Sequence, residues 1–481
     1  MSQVLTGPPS GDAAPDSELS RSEPARPGGA DWWWRGLRPL VRRLHFYVGL
    51  FVGPVLLVAA FTGLLYTLTP QLDQIVYRDA LHVAQVTGTP QSLQTQVAAA
   101  TAAVPGGTVT EIRPPGEPDG TTRVSFDAPG VREDFSRTAF VDPYTGRVTA
   151  VLDTFGEWLP LRAWFDELHR TLLLGDVGRV YTEFAASWLW VLALSGLSLW
   201  VVRRRRKARV RRTLLPETSA ATGNRLRSWH GAVGLWAAVG MLFLSATGLT
   251  WSQFAGDNVS SLRENLDWTT PEVTQTLPPG PTAAPSAPAT DVGATSDRVL
   301  AATRAAGLSD PVAITPGDAG QAWTVAQVQR SWPEKRDAMA VDPGTGQVVD
   351  TVRFADWPLA AKLARWGVDA HMGLLFGWVS QVFLAALALG VMCMVVWGYR
   401  MWWKRRPTRG GPAGPPGGSQ RPGAGAVIVV GVVAVVVGVF LPLLGVSLLA
   451  FLLVDVLRGA VRRPEAPSDG RDTSRSGSMA P

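Results

Sequence analysis

RRLHFYVGLFVGP at 42–54, continued by AFTGLLY at 60–66, recurs in outline as SWHGAVGLW at 228–236 and SATGLTW at 245–251. The first passage opens an apolar run from Leu44 to Leu68, long enough to cross a bilayer, with Arg35, Arg38, Arg42 and Arg43 before it. Placing His230 over His45 brings Thr247-Gly248 onto Thr62-Gly63, 17 and 18 residues beyond the histidine, and Gly234 onto Gly49. Farther along, VDPGTGQV at 341–348 answers VDPYTGRV at 141–148, and His371 answers His169. Gly377 and Gly175 follow those histidines by 6 residues, and Arg405 and Arg203 by 34. Landmarks held in register this way indicate a duplicated two-span unit. An even number of spans separates the copies, so both keep one orientation and are expected to be related by an axis along the membrane normal.

The 481 residues are 46% hydrophobic and 17% charged, too apolar for an ordinary soluble protein and too charged to lie wholly in lipid. The net charge of +6 comes from short Lys/Arg runs beside the apolar segments. That is a topology signal and speaks against a nucleic-acid partner. Further apolar runs lie at about 184–202, 229–251 and 377–397. Basic clusters precede the first and third runs and follow the second and fourth, the last two being Arg203–Lys207 and Arg400–Arg406. The positive-inside rule then places the N-terminus in the cytoplasm of a multi-pass plasma-membrane protein. No cleavable leader is expected, because the first apolar run comes late and is long.

The expected organisation is a disordered N-terminus (1–30), a cytoplasmic flank and first transmembrane helix (31–69), and a first extracytoplasmic module (70–160). An amphipathic helix and second span (161–207) lead through a cytoplasmic connection (208–228) to the third span (229–251). A second module with a Pro-rich linker (252–356) precedes another amphipathic helix and the fourth span (357–406). A flexible linker (407–425), a C-terminal hydrophobic segment (426–457) and a disordered tail (458–481) complete the chain. The hydrophobic segment is interrupted by Pro442 and Gly445. It reads as one tilted span or a hairpin of two, and the trailing arginines favour the hairpin. The fold class is thus a membrane α-helical bundle of four core spans in tandem repeat, plus one or two C-terminal spans, with two small extracytoplasmic α+β modules.

Alternating patterns predict the modules. The first has a helix over 91–103 and strands near 107–113, 121–127, 137–142 and 146–151. The second has a helix near 296–306 and strands near 311–315, 322–328, 336–342 and 347–352. The two Asp-Pro-x-Thr-Gly phrases read as hairpin turns. The single cysteine, Cys393, excludes an internal disulfide and reads as a buried packing residue.

Four of the five histidines, His45, His169, His230 and His371, form the repeat-matched set; His82 stands alone as a surface residue. Ionisable residues at membrane spans are functional candidates because burying them is costly. His45 and His230 begin spans one and three. His169 and His371 precede spans two and four, in WFDELHRTLLLG and RWGVDAHMGLLFG. Symmetry pairs His45 with His230 near the inner face and His169 with His371 near the outer one. Facing imidazoles in a helical bundle suit the axial positions of two b-type haems. Eighteen residues make five helical turns, so Gly63 and Gly248 are expected on the faces of His45 and His230, with Gly49 and Gly234 nearby, leaving room for a macrocycle. Close helix packing is the plainer use of such glycines. A two-histidine divalent site is disfavoured because no carboxylate pattern recurs beside the pairs. Arg132, Arg137, Arg330 and Arg336 are external and read as solvated surface charge.

RRLHFYVGLFVGP with AFTGLLY, SWHGAVGLW with SATGLTW, the two VDPxTG phrases, and ELHRTLLLG with DAHMGLLFG together resemble the PepSY-associated transmembrane-helix family over about 35–406. The resemblance implies PepSY-like modules and, by similarity to di-haem ferric-siderophore reductases, haem ligation by His45, His169, His230 and His371. It also implies electron transfer from the cytoplasmic side to ferric iron or a ferric siderophore for iron uptake. Some family members carry a fused flavoprotein domain. This chain shows none, so the donor would be a separate cytoplasmic flavoprotein or a membrane quinol, and its standing as an enzyme stays open. The acceptor would be a ferric chelate. An interaction or protease-regulating role for the PepSY-like modules is the alternative. A transporter is a further rival, disfavoured because no broken helix is evident in the four core spans.

Overall fold

Proline and glycine break the first span. The computed structural model describes residues 29–204, 214–217, 222–277, 291–405 and 424–461. Helix α1 (Gly29–Phe51) ends one residue before α2 (Gly53–Tyr66) begins. Their membrane-length portions meet at an angle of 57°. Pro54 has no N–H, which leaves the carbonyl of Leu50 without its helical donor. The Tyr399 hydroxyl donates to that carbonyl. At Gly53 a Cβ would stand only 3.3 Å from the Tyr399 ring. The expectation of one straight helix over 44–68, and of no broken helix in the core, is therefore corrected. Tyr399→Phe should leave Leu50 O unsatisfied and cost about 1–3 kcal/mol, to be read as a lower unfolding temperature of the detergent-purified protein.

Among the described residues, three further helices are long and apolar enough to cross a membrane. Two short helices, α3 (Thr69–Val76) and α4 (Arg78–Leu81), and α5 (Leu93–Ala103) lead into the first strands. After them come α6 (Pro160–Thr171), the long α7 (Asp176–Arg204) and the long α8 (Thr222–Leu249). The second half adds α9 (Phe254–Asn265), α10 (Val292–Ala305), α11 (Leu359–His371) and the long α12 (Trp378–Trp403). In the bundle α7 packs on α8 and α1, and α12 packs on α2 and α8.

The strands are β1 (Thr108–Arg113), β2 (Thr122–Asp127), β3 (Ser136–Val141), β4 (Val148–Thr154), β5 (Val312–Thr315), β6 (Trp323–Gln327), β7 (Ala338–Val341) and β8 (Val348–Val352). All lie within three residues of their expected places, the largest difference being β4, which runs on to Thr154. They do not make two separate modules, however. One eight-stranded sheet runs β4-β3-β2-β1-β5-β6-β7-β8, antiparallel throughout. At the seam β1 meets β5, with Ile112 opposite Ile314. Burial carries this joint: Ile112, Ile314, Val124, Phe126, Val299 and Val325 are all fully buried in one core, and each large side chain contributes about 1.5–3 kcal/mol. Helices α5 and α10 cover that face together. Asp297 of α10 accepts from Leu93 N at 2.8 Å and Gln94 N at 2.9 Å, so one half caps the first turn of the other half's helix.

Strand alternation sends the opposite face of the sheet toward the bundle with charged groups, Glu111 and Arg113 among them. Both hairpin turns use the aspartate as expected. Asp142 Oδ1 accepts from Tyr144 N at 2.9 Å, and Asp342 Oδ1 from Gly344 N at 2.8 Å.

The C-terminal segment is a helical hairpin of α13 (Ala424–Phe440) and α14 (Pro442–Val461). A Cβ on Gly438 would lie 2.7 Å from Gly445 Cα, so the two backbones touch where the chain turns back. Asn258 of α9 donates to Phe440 O at 3.0 Å, and Trp188 of α7 to Ser447 Oγ at 2.9 Å. Residues 1–28 and 462–481 of the expected disordered ends, 406–423 around the flexible linker, 278–290 of the Pro-rich linker and the basic cluster from Arg205 to Lys207 lie outside the described residues, whereas 458–461, expected in the disordered tail, continue α14.

Candidate functional site

Hydroxyl groups settle how the histidines are held. Thr62 Oγ1 donates to the carbonyls of Val58 and Ala59, each at 3.1 Å, and stands 2.9 Å from His169 Nδ1. With its one proton committed to the backbone, the hydroxyl accepts from His169 Nδ1–H. Thr247 repeats the device: Oγ1 donates to Phe243 O at 2.8 Å and accepts from His371 Nδ1 at 2.6 Å. Ser195 Oγ donates to Leu192 O at 3.2 Å and accepts from His45 Nδ1 at 2.9 Å. His230 Nδ1 donates to the carbonyl of Met394 at 3.1 Å. All four rings thus carry their proton on Nδ1, and Nε2 keeps its lone pair. A second hydrogen bond that fixes tautomer and orientation in this way is the usual support of a metal-ligating histidine.

Two pairs stand at opposite ends of the bundle. The His45 and His230 ring centres are 6.3 Å apart, edge to face. His230 and Thr247 are 17 residues apart on the single helix α8, which sets the depth of the His371 site about 25 Å from the first. The His371 pair lies on the sheet side, at the ends of α6 and α11. Burial pushes His371 down to about 3, with a further contribution from nearby His169, and burial takes His169 down to about 4. Both rings are therefore neutral at physiological pH, the form that can ligate.

Glycine makes room for the rings. A Cβ at Gly63 would stand 3.1 Å from His169 Cε1, and one at Gly196 would stand 3.0 Å from His45 Cε1. At Gly248 it would lie 3.9 Å from His371 Cε1. This corrects the expectation that Gly63 and Gly248 line the slots of His45 and His230. Five helical turns are about 27 Å, so a glycine on the same face serves the histidine at the other end of the bundle. The bend at Val52 also breaks the phase between His45 and Gly63. Nothing lies within 4 Å of a Cβ at Gly49, and one at Gly234 would meet Met394 Sδ at 3.3 Å.

Ser195-Gly196 was not legible as a histidine cradle. The offset from His169 to His371 places Trp397-Gly398 at the corresponding position, so no serine stands there, and His230 relies on a backbone carbonyl instead. Thr247→Val keeps the shape of the side chain but removes the acceptor of His371 Nδ1–H. For any metal or haem bound at that pair, retention should weaken by about 10–100-fold, measured as bound cofactor after dialysis against apomyoglobin.

The expected surface arginines divide. Arg132 pairs with Glu167 and Arg137 with Asp153, both partly exposed. Arg330 and Arg336 are instead largely buried, and the solvated-surface reading of these two is corrected. Arg330 joins Glu157 to Asp369, at 2.5 Å from the latter, and reaches Met372 Sδ at 3.2 Å. Burial alone would raise Glu157, but Arg330 and Arg113 hold it below the usual carboxylate range. His82 is half-exposed and bonds Asp119 and Gln74. Cys393 is exposed on the outside of α12, not packed inward as expected. Among the described residues, no group of three or more His, Cys, Asp or Glu side chains is placed to hold a metal ion.

No curated protein matches the chain. A family model described as the PepSY-associated TM region matches residues 42–405, from the arginines before His45 to the end of α12. With the three apolar helices and the bent pair, this match makes the chain a multi-pass membrane protein belonging to the PepSY-associated transmembrane family.

Proposed function

We propose that the chain is a two-haem electron carrier of the plasma membrane, with His45 and His230 holding a haem b near the cytoplasmic face and His169 and His371 holding another near the outer face. The N-terminus would be cytoplasmic and the sheet extracytoplasmic, as the arginine runs suggest. The reading extends the repeat to the whole core, with the two halves related by an axis along the membrane normal.

The observation that carries it is the geometry of the His45–His230 pair. The ring centres stand 6.3 Å apart, close enough for the two imidazoles to hold one iron between them. Bound haem would supply a one-electron iron centre at each pair. Histidine Nε2 would hold the group, the serine, threonine and Met394 carbonyl would orient the rings, and the apolar helices would exclude water. Two side-chain ligands per pair suit a macrocycle that fills the remaining positions.

The donor would be a separate cytoplasmic flavoprotein or a quinol, and the acceptor a ferric chelate such as a siderophore, reduced outside for iron uptake. The bend in the first span removes one argument against a transporter, but transport has no use for four histidines held as Nε2 ligands. The test is the visible spectrum of the full chain, purified in detergent from haem-replete cells. A Soret band that shifts with dithionite is expected, at two haems per chain. A colourless, well-folded preparation would overturn the proposal.

A further inference from the structure

At the charged face of the sheet, between the β4–α6 and β6–β7 connections, lies a cavity of about 520 Å³, within the range that holds small-molecule ligands. Its walls include Arg113, Arg330, Arg336, Asp134, Glu157 and Trp158. We propose that this cavity binds the electron acceptor, and that the acceptor is a small anionic iron chelate bearing carboxylates. The acceptor role rests on the electron-transfer reading above; the anion site rests on the cavity itself.

Charge comes first. Three guanidinium groups line the cavity against two carboxylates, which favours an anion. Arg113 is committed to Glu111 at 2.6 Å and to Glu157, and Arg330 to Glu157 and Asp369. Arg336 is held loosely, at 3.6 Å from Glu334 and 3.4 Å from Asp369. Its Nε is buried without a hydrogen-bond partner. A buried guanidinium N–H left unmatched is costly unless something accepts from it. That nitrogen is closed off from the cavity, so a ligand carboxylate would instead be met by the rest of the loosely held Arg336 guanidinium at the cavity wall, in the planar geometry that guanidinium favours.

The walls also narrow the ligand class. Trp158 is the aromatic group an aryl chelator would stack upon, but Arg162 covers it at 3.8 Å and Arg330 lies 4.9 Å from its ring centre. That leaves carboxylate recognition better served than aromatic stacking. Position supports the acceptor role. Arg330 borders the cavity and touches both Asp369 and Met372, the residues flanking His371 on α11 and just beyond it. A chelate beside Arg336 would therefore sit next to the outer histidine pair.

The test uses gallium(III) citrate, a redox-inert carboxylate chelate, titrated calorimetrically into the detergent-purified full chain. Saturable binding is expected. Arg336→Gln should weaken it about tenfold or more, as loss of a charged hydrogen bond does. Asp134 is exposed at the rim with φ +67°, a conformation asparagine tolerates. Asp134→Asn removes one negative charge and should tighten binding, a gain that misfolding cannot imitate. The inference is overturned if the wild-type chain does not bind gallium citrate, or if both variants bind it as the wild type does. It is equally overturned if inorganic phosphate, or a cationic trihydroxamate complex of gallium, binds as tightly. Gallium is not reduced, so the assay is blind to haem. A haem-bearing protein that ignores gallium citrate sinks this inference alone, whereas a colourless protein that binds it sinks the electron-transfer reading.

Discussion

Asp369→Ala should destabilise the protein by about 3–5 kcal/mol, the usual cost of stripping the counter-ion from a buried ion cluster. Asp369 is fully buried. Its carboxylate accepts from Arg330 at 2.5 Å, Arg365 at 3.0 Å and Arg336 at 3.4 Å. Alanine would leave three guanidinium groups around an apolar side chain. Glu334 cannot take over, because burial and the neighbouring Asp369 push its carboxyl up to about 8, so it is largely neutral at pH 7. Arg330 and Arg336 lie in the chain between β6 and β7, and Arg365 and Asp369 on α11. Losing the carboxylate therefore loosens the sheet from the helix that ends in His371. The check is thermal unfolding of the detergent-purified chain, with Asp369→Asn expected between alanine and wild type. An unchanged melting temperature for Asp369→Ala would mean that the arginines resolvate in the adjoining cavity.

On the two-haem proposal, His371→Ala should remove one haem of two and abolish reduction of an external ferric chelate, while the other haem stays. The sites are separable because the His45–His230 pair is supported by Ser195 and Met394, and the outer pair by Thr62 and Thr247, with no shared residue. Haem content by pyridine haemochrome should fall by half. The complementary His45→Ala should lose the other half and block electron entry from the cytoplasmic side. Full haem content in either variant would refute the pairing. Loss of both haems from one substitution would show that the sites do not bind independently.

The eight strands and the four repeat-matched histidines were legible because each depends on local pattern. Alternation marks a half-buried strand, and a histidine beside a span stands out by its desolvation cost. The seam between β1 and β5 was not legible. It joins residues about 200 apart in sequence, and the apolar alternation of either strand would equally suit two separate sheets. The arginines were misread for a related reason. Arg330 and Arg336 lie in a polar stretch that resembles any exposed loop, and only the placement of Asp369 and Glu157 around them turns that stretch inward.

By itself the sequence determined the number of long apolar segments, the strand periodicity, the matched histidines and the residues that turn the two Asp-Pro-x-Thr-Gly hairpins, because propensity and hydrophobic pattern act over a few residues. Tertiary structure decided which glycine stands against which histidine, which hydroxyl or carbonyl sets each tautomer, and that the two modules share one core. It also decided that the last apolar segment folds back on itself at Gly438 and Gly445. These outcomes depend on the direction each helix takes after a break, and Pro54 together with Tyr399 shows why. A missing N–H at one position redirects a span, and the carbonyl it frees is satisfied by a residue 349 positions away, a distance no local pattern can reach.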